Sequence, residues 1–381
     1  MKAKDIALLC TAAAGAGAAA GIAAAGATKP AQTKQPKEKT AAKAKKPTET
    51  PKKNTTASAD IKPLKATVTE LEFPVNDSFS CVYSHSGSGI TAVFGSDGKH
   101  SVFKARADGS IVSARCPSGI SGAAAGDDCV MFLTPRGGVF VYDDPEKEPV
   151  LCALTAPEYA AYYDGKFYVF SDSLLYICTS DGEIEKTVSL GAMIEITGGD
   201  ICDAEDSDSS FTAAKVSVKK LFPFGKSDLF AAITAEGNSY IMHKDEDDFV
   251  SFEKTYENII DVCVFGNFAY YLCKLSEGYG IIKTEIKRKN CETAGKYQLC
   301  GEDRKPVKIF SVSCGIGIMY EDGGVKFLLP EISSERARER SRRGLSALNG
   351  VFDGVNVRDI FSFSDDCGYV SEGKVYIVKT E

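Results

Sequence analysis

The chain has 381 residues, 44 % of them hydrophobic and 25 % charged, with a formal net charge of −7. That is apolar material enough for a full core under an ordinary soluble surface. The charge is segregated: residues 29–65 hold eleven lysines against Glu38, Glu49 and Asp60, so residues 66–381 carry −16. A folded part this acidic repels phosphate backbones, from which nucleic-acid affinity mainly derives, and this excludes nucleic acid as the partner.

In chain order, Met1–Asp5 is a short start with two lysines, and Ile6–Ala27 follows with no charge in twenty-two residues. A run of about 20 such residues spans a bilayer core. Residues 1–27 therefore read either as a signal peptide ending at Ala25-Gly26-Ala27 or as an uncleaved transmembrane anchor, with Gly17 and Gly21 spaced for close helix approach. Residues 28–65 are a linker of Lys, Pro, Thr and Ala with almost nothing to bury, and are expected to stay disordered. The two ends of the apolar run disagree about topology. Positive charge beyond it favours holding the domain in the cytoplasm, whereas the layout of a short basic start, an apolar run and a spacer is that of export. The expectation is an extracytoplasmic, membrane-anchored domain, with a cytoplasm-facing or a cleaved and secreted form as alternatives.

Thirteen cysteines is a high count, and twelve lie after residue 66, many inside apolar runs such as Cys129-Val-Met-Phe-Leu and Val262-Cys-Val-Phe. No C-x-x-C occurs, so neither a zinc ribbon nor a thioredoxin-like motif is present. The thiols read as buried small hydrophobes, a usage suited to a reducing compartment or to an organism living without oxygen.

From Ala66 the texture becomes that of short strands. Val68–Val75 alternates like one half-buried strand. A repeated pattern follows, in which a turn glycine precedes an aromatic or β-branched run: at Asp97-Gly98, Arg136-Gly137, Asp164-Gly165, Glu236-Gly237, Phe265-Gly266, Asp322-Gly323 and Glu372-Gly373. Glycine supplies the positive φ that tight hairpins need. The stretch Ile259–Ile286 shows the unit at its clearest, as three strands separated by Gly266-Asn267 and by the glycines at 278 and 280. Dividing residues 66–381 among seven such turns allots about 45 residues to each, the size of a four-stranded propeller blade.

On these residues the region 66–381 resembles a β-propeller in the broad sense. The resemblance rests on hairpin periodicity and not on a family motif; with no Trp in the chain, the Trp-Asp dipeptide of WD40 blades is absent. It implies an all-β fold: one propeller of about seven four-stranded blades, closed by pairing of Val68–Val75 with the C-terminal hairpin Tyr369–Val378. Two β-sandwiches joined through residues 191–218 are the alternative. Two insertions interrupt the strands. Ile201–Ser210 is an acidic loop without the turn glycine of a calcium-binding loop. Residues 333–348 form a helix capped by Ser333 or Ser334, with Arg336, Arg338, Arg340, Arg342 and Arg343, that loosens at Gly344 and ends at Asn349-Gly350.

Chemistry-bearing motifs are scarce. His85, His100 and His243 form no local metal pair. Gly225-Lys226-Ser227 resembles the end of a phosphate loop, but Lys220 stands where the first glycine belongs. The acid pairs Asp127-Asp128, Asp143-Asp144 and Asp365-Asp366 are adjacent, so their side chains point apart. The sequence points to no catalytic, cofactor-binding or metal residue and to no cofactor. It favours a membrane-tethered binding or scaffolding module for a protein or an envelope polymer. The alternatives are an extracytoplasmic hydrolase or lyase with acids at the channel, and a cytoplasm-facing scaffold.

Overall fold

The computed structural model of the chain describes residues 64–72, 79–85, 89–96, 99–105, 111–115, 119–190, 216–225, 228–245, 248–288, 290–299, 304–363 and 366–380. The apolar segment Ile6–Ala27, the linker up to residue 63 and the acidic loop Ile201–Ser210 lie outside these residues, as does Asp365.

Runs of Val, Ile, Phe and Tyr broken by turn residues fold here as antiparallel meanders. The first comprises β2 (Phe79–His85), β3 (Gly89–Ser96), β4 (Lys99–Ala105) and β5 (Ile111–Arg115). Next come β6 (Gly122–Ala125), β7 (Cys129–Thr134), β8 (Gly137–Tyr142) and β9 (Val150–Cys152), then β10 (Tyr159–Tyr163), β11 (Lys166–Ser171), β12 (Leu174–Cys178) and β13 (Ile184–Ser189). The fourth is β14 (Val218–Pro223), β15 (Leu229–Thr234), β16 (Ser239–Asp245) and β17 (Asp248–Tyr256). The fifth is β18 (Ile259–Phe265), β19 (Phe268–Lys274), β20 (Tyr279–Ile286) and β21 (Cys291–Gln298). Only three strands follow in the next sheet: β22 (Pro306–Val312), β23 (Gly315–Tyr320) and β24 (Val325–Leu328). The last combines β25 (Asp359–Phe363), β26 (Asp366–Ser371) and β27 (Lys374–Thr380) with β1 (Ala66–Leu71), in the order β1-β27-β26-β25.

The first strands of neighbouring sheets lie side by side: β2 against β6, β6 against β10, β10 against β14, β18 against β22, β22 against β25, and β25 against β2, with β15 meeting β18. The sheets thus stand in a closed ring, first strands inward, as in a β-propeller. The expected count of about seven four-stranded blades needs correction. The described strands make six four-stranded blades, and the β22–β24 sheet stops at three strands.

The ring is closed by the first described strand. β1 runs antiparallel to β27, with Ala66 opposite Thr380 and Leu71 opposite Val375. It begins two residues before the expected Val68 and its partner is the last strand of the chain. This pairing turns an open array into a ring without a free end and removes two exposed sheet edges.

The turn pattern explains the uneven spacing of the glycines. Asp164-Gly165 and Phe265-Gly266 join first to second strands, whereas Arg136-Gly137, Glu236-Gly237, Asp322-Gly323 and Glu372-Gly373 join second to third strands; Asp97-Gly98 lies outside the described residues. At Asp164-Gly165 φ is 50° and 76°, and at Glu372-Gly373 it is 51° and 77°. Both central residues are left-handed, the condition for a type I′ hairpin turn.

Without tryptophan, neighbouring blades dock through phenylalanine and tyrosine. Phe140 meets Phe167 edge-on at 5.1 Å between the β6–β9 and β10–β13 blades, and Tyr168 meets Phe230 at 5.6 Å at the next junction. The core consists of such interfaces, Met131, Leu133, Phe140, Phe167 and Val169 forming one of them. Sheet-face burial of this kind is worth about 25 cal/mol per Å² of apolar surface removed from water.

Helix α1 (Glu335–Phe352) takes the place of a fourth strand beside β24 and also touches β1 and β27. Ser334 caps it, its hydroxyl accepting from the Ala337 N–H. The helix does not end at Asn349-Gly350 but runs on to Phe352. Phe352 is buried against Phe327 at 5.5 Å and Tyr369 at 5.0 Å, and this packing outweighs the poor propensity of glycine. At Gly344 the helix lies close against Cys314, since a Cβ there would stand 2.8 Å from Cβ of Cys314. Arg336, Arg340 and Arg342 stay on the exposed side. If α1 is the wall of the three-stranded sheet, Phe352→Ala should cost about 3–5 kcal/mol in urea unfolding, as buried phenylalanines do. Arg336→Ala should stay within about 0.5 kcal/mol.

Candidate functional site

The inward first strands carry an unusual feature. In β2, β14, β18 and β22 the register slips near the start of the strand, between Phe79 and Cys81, Val218 and Lys220, Ile259 and Asp261, and Pro306 and Lys308. Such a bulge sets two residues against one on the neighbouring strand and re-aims the side chain that follows. In three of the four strands that residue is charged.

The charges meet across blade junctions. Lys220 Nζ donates to Oδ1 of Asp261 on the next blade and, at 3.3 Å, to the Val262 carbonyl. The other carboxylate oxygen, Oδ2, accepts the backbone N–H of Ile309 at 3.0 Å, one sheet further on. Lys308, beside Ile309, donates to Asp359 Oδ1 at 2.8 Å on the last blade. A belt of alternating sign thereby runs through β14, β18, β22 and β25, each charge paired with its neighbour.

Asp261 is the deepest member, its side chain 7 % exposed, while Lys220 keeps 26 %. Burial works against the Lys220 ammonium, but the Asp261 carboxylate and the hydrogen bond to it prevail, so its pKa stands above the usual 10.5. Tyr159, at the start of β10, extends the belt backward. Burial raises its phenol, with the Lys220 charge partly opposing. Cys263, two residues after Asp261, is raised by burial and then by the Asp261 charge, and stays a thiol. These groups hold one another and fasten one blade to the next.

The individual candidates fall elsewhere. His85 lies on β2 and His100 on β4. His243 lies on β16, with Nε2 buried and no hydrogen-bond partner. The three do not share a blade position. Asp127 accepts the Tyr162 hydroxyl at 2.9 Å across a junction, and Tyr162 is pushed up to about 12, chiefly by burial and then by that bond. Asp144 caps its own turn through the Glu146 N–H at 3.0 Å. Gly225 is a turn residue whose carbonyl accepts the Tyr163 hydroxyl, and 226–227 lie outside the described residues. Among the described residues no three of His, Cys, Asp and Glu gather closely enough to hold a metal ion, and no helix is long and apolar enough to cross a membrane. A shallow cleft of about 280 Å³ between the β10–β13 and β14–β17 blades is lined by Lys166, Ile177, Glu185, Lys186 and Lys244.

Sequence reasoning missed the belt, yet a signal existed. Lys220, Asp261, Lys308 and Asp359 are charges set directly before or within runs such as Leu-Phe, Val-Cys-Val-Phe, Ile-Phe and Ile-Phe. A charge in a strand whose neighbours are all buried must have a partner.

Comparison with known proteins agrees with the fold. Similar solved structures include YCF48 from Cyanidioschyzon merolae, with TM-score 0.50 and 14 % identity over 81 % of this chain and 98 % of that one. The WD40 domain of Toxoplasma gondii coronin matches with TM-score 0.50 and 9 % identity over 84 % and 87 %. BamB from Moraxella catarrhalis has TM-score 0.47 and 11 % identity over 82 % and 91 %. No protein-family model matches the sequence, and no curated protein matches it. The chain is a β-propeller; at such identities the likeness concerns the fold alone.

The belt makes a stability prediction. Asp261→Ala strands the Lys220 ammonium and the Ile309 N–H, and should cost about 2–4 kcal/mol, less than a fully buried pair because Lys220 still meets water. The double variant Lys220→Met, Asp261→Asn should recover more than half of that loss in the same denaturant titration. Because the folded Lys220 pKa is raised, its contribution is complete below the ordinary lysine value near 10.5 and is lost as pH rises through the folded value. The wild-type midpoint should therefore fall more steeply above that pH than the midpoint of the double variant.

Proposed function

We propose that the chain is a membrane-tethered β-propeller that serves as a binding or scaffolding module for a protein or envelope component on the extracytoplasmic side. The observation that carries this reading is the belt. The ionisable groups brought together on the inner strands neutralise each other across junctions and brace a rigid frame. Recognition then falls to the rim and outer strands, where two large aliphatics, Leu151 at 56 % and Ile184 at 43 % exposure, lie on the outermost strands of adjacent blades. Exposed aliphatics surrounded by polar surface supply the apolar centre of a protein contact. The acidic balance of the folded part sets the partner's sign, favouring a basic surface and a salt-sensitive association rate.

The tether comes from the apolar segment Ile6–Ala27 and the linker 28–65. A second reading, a scaffold facing the cytoplasm, draws support from the thiols, since eight of the cysteines among the described residues are free and seven of those are buried.

Protease added to intact cells tests the location. Cleavage in the linker that releases a compact acidic fragment is the expected result; a full-length chain protected until lysis would overturn it in favour of the cytoplasm-facing scaffold. For the binding role, full-length chain crosslinked in cells should yield one recurrent basic partner, and Leu151→Glu, Ile184→Glu should lose it at least tenfold while retaining the wild-type unfolding midpoint. Undiminished crosslinking by that variant would remove these residues from the contact.

A further inference from the structure

Two thiols face each other across the junction between the β6–β9 and β10–β13 blades. Cys152 ends β9, the outermost strand of the β6–β9 blade, and Cys178 ends β12 of the next blade. Their sulfurs stand 4.0 Å apart, with 2 % and 0 % of the residues exposed. The same junction is held by the Tyr142 hydroxyl on the Ser180 carbonyl at 3.0 Å and by the ring pair Phe140–Phe167. The backbones on both sides are thus fixed, and the two sulfurs meet as a consequence of how the blades dock.

We propose that Cys152 and Cys178 form a redox-active pair that closes to a disulfide stapling the two blades, with a small-molecule disulfide as oxidant. A disulfide requires about 2.05 Å between sulfurs, so each must move about 1 Å, a displacement that small χ1 rotations supply. Access comes from the Cys152 side. β9 has three residues, pairs on one side only with β8, and contains the exposed Leu151; so short an outermost strand is a place of local opening. Cys152 is then the attacking sulfur and Cys178 the resolving one.

The chemistry balances. The Cys152 thiolate attacks one sulfur of the oxidant, whose S–S bond breaks, and a first thiolate leaves and takes up a proton. Cys178, giving its proton to solvent, attacks Cys152 Sγ of the mixed disulfide, and a second thiolate leaves and is protonated. Two cysteine thiols lose two electrons, and one small disulfide becomes two thiols.

The cysteines lie on adjacent tryptic peptides, 148–166 and 167–186, with one cysteine in each. Folded full-length chain treated with oxidised glutathione should yield these two peptides joined, 2 Da lighter than their sum, and should yield them separately after reduction. The oxidised protein should unfold roughly 5 °C higher, since the bridge closes a loop of 26 residues' separation. With Cys178→Ala the glutathione adduct should remain on Cys152, and with Cys152→Ala the Cys178 peptide should stay unmodified. Two outcomes would overturn the pair. One is recovery of both peptides as separate thiols from the folded wild type, under conditions in which the same chain in denaturant is oxidised. The other is glutathione retained on Cys178 in Cys152→Ala to the same extent as on Cys152 in Cys178→Ala. Neither readout depends on where the chain is tethered.

Discussion

The ring depends on one strand pairing, β1 with β27. Each other blade is assembled from neighbours in sequence, so its strands meet after short hairpins. The last blade joins residue 66 to residue 380. Loop-closure entropy grows only slowly with length, which makes so long a closure tolerable, but it must be met before the first and last blades can stack. Lys374 on Glu70 at 3.0 Å adds a surface ion pair at this seam, worth at most about 1 kcal/mol. The backbone ladder, not the ion pair, holds the circle shut.

Once closed, the ring presses polar groups on the inner strands into one another's reach. The bulges at Lys220, Asp261 and Lys308 have this effect: they aim side chains across the junction rather than along the strand. A charge in such a place is tolerable only when paired, and each belt member depends on the blade beside it. The belt is therefore a consequence of closure as well as a brace for it. Aromatic rings play the corresponding part in the apolar layer, where Phe140 meets Phe167 and Tyr168 meets Phe230 across successive junctions.

How much of this was legible in the sequence depended on range. Turns such as Asp164-Gly165 were visible because their cause is local, the need for positive φ at two successive residues. The closing strand was visible as a short strand-like run ahead of the first blade, and it pairs with β27; the half-buried alternation expected of Val68–Val75 does not appear in it, since Thr67–Glu70 are all exposed. The strand count of the sheet before the last blade was not visible. β24 is only four residues long, and nothing in Val325–Leu328 says that Ser334 and its helix will occupy the next place outward. The end of that helix was misread for a related reason, because Asn349-Gly350 predicts a local stop and Phe352 has partners only in three dimensions. The belt was illegible as a set: Lys220 and Asp261 are separated by 41 residues, and Lys308 and Asp359 by 51. A sequence displays the lone charges but not the bulges that turn them toward one another.

Blades built on one plan give a ring near rotational symmetry, and a symmetric ring has no unique direction. Anything that recognised the common features of a blade would find several equivalent seats. Helix α1 ends that equivalence. It stands between the β22–β24 sheet and the last blade, and it bears exposed arginines on a domain that is otherwise acidic. It therefore acts as an azimuthal mark, so a partner that includes α1 in its footprint can sit on the ring in one orientation and in one copy per chain.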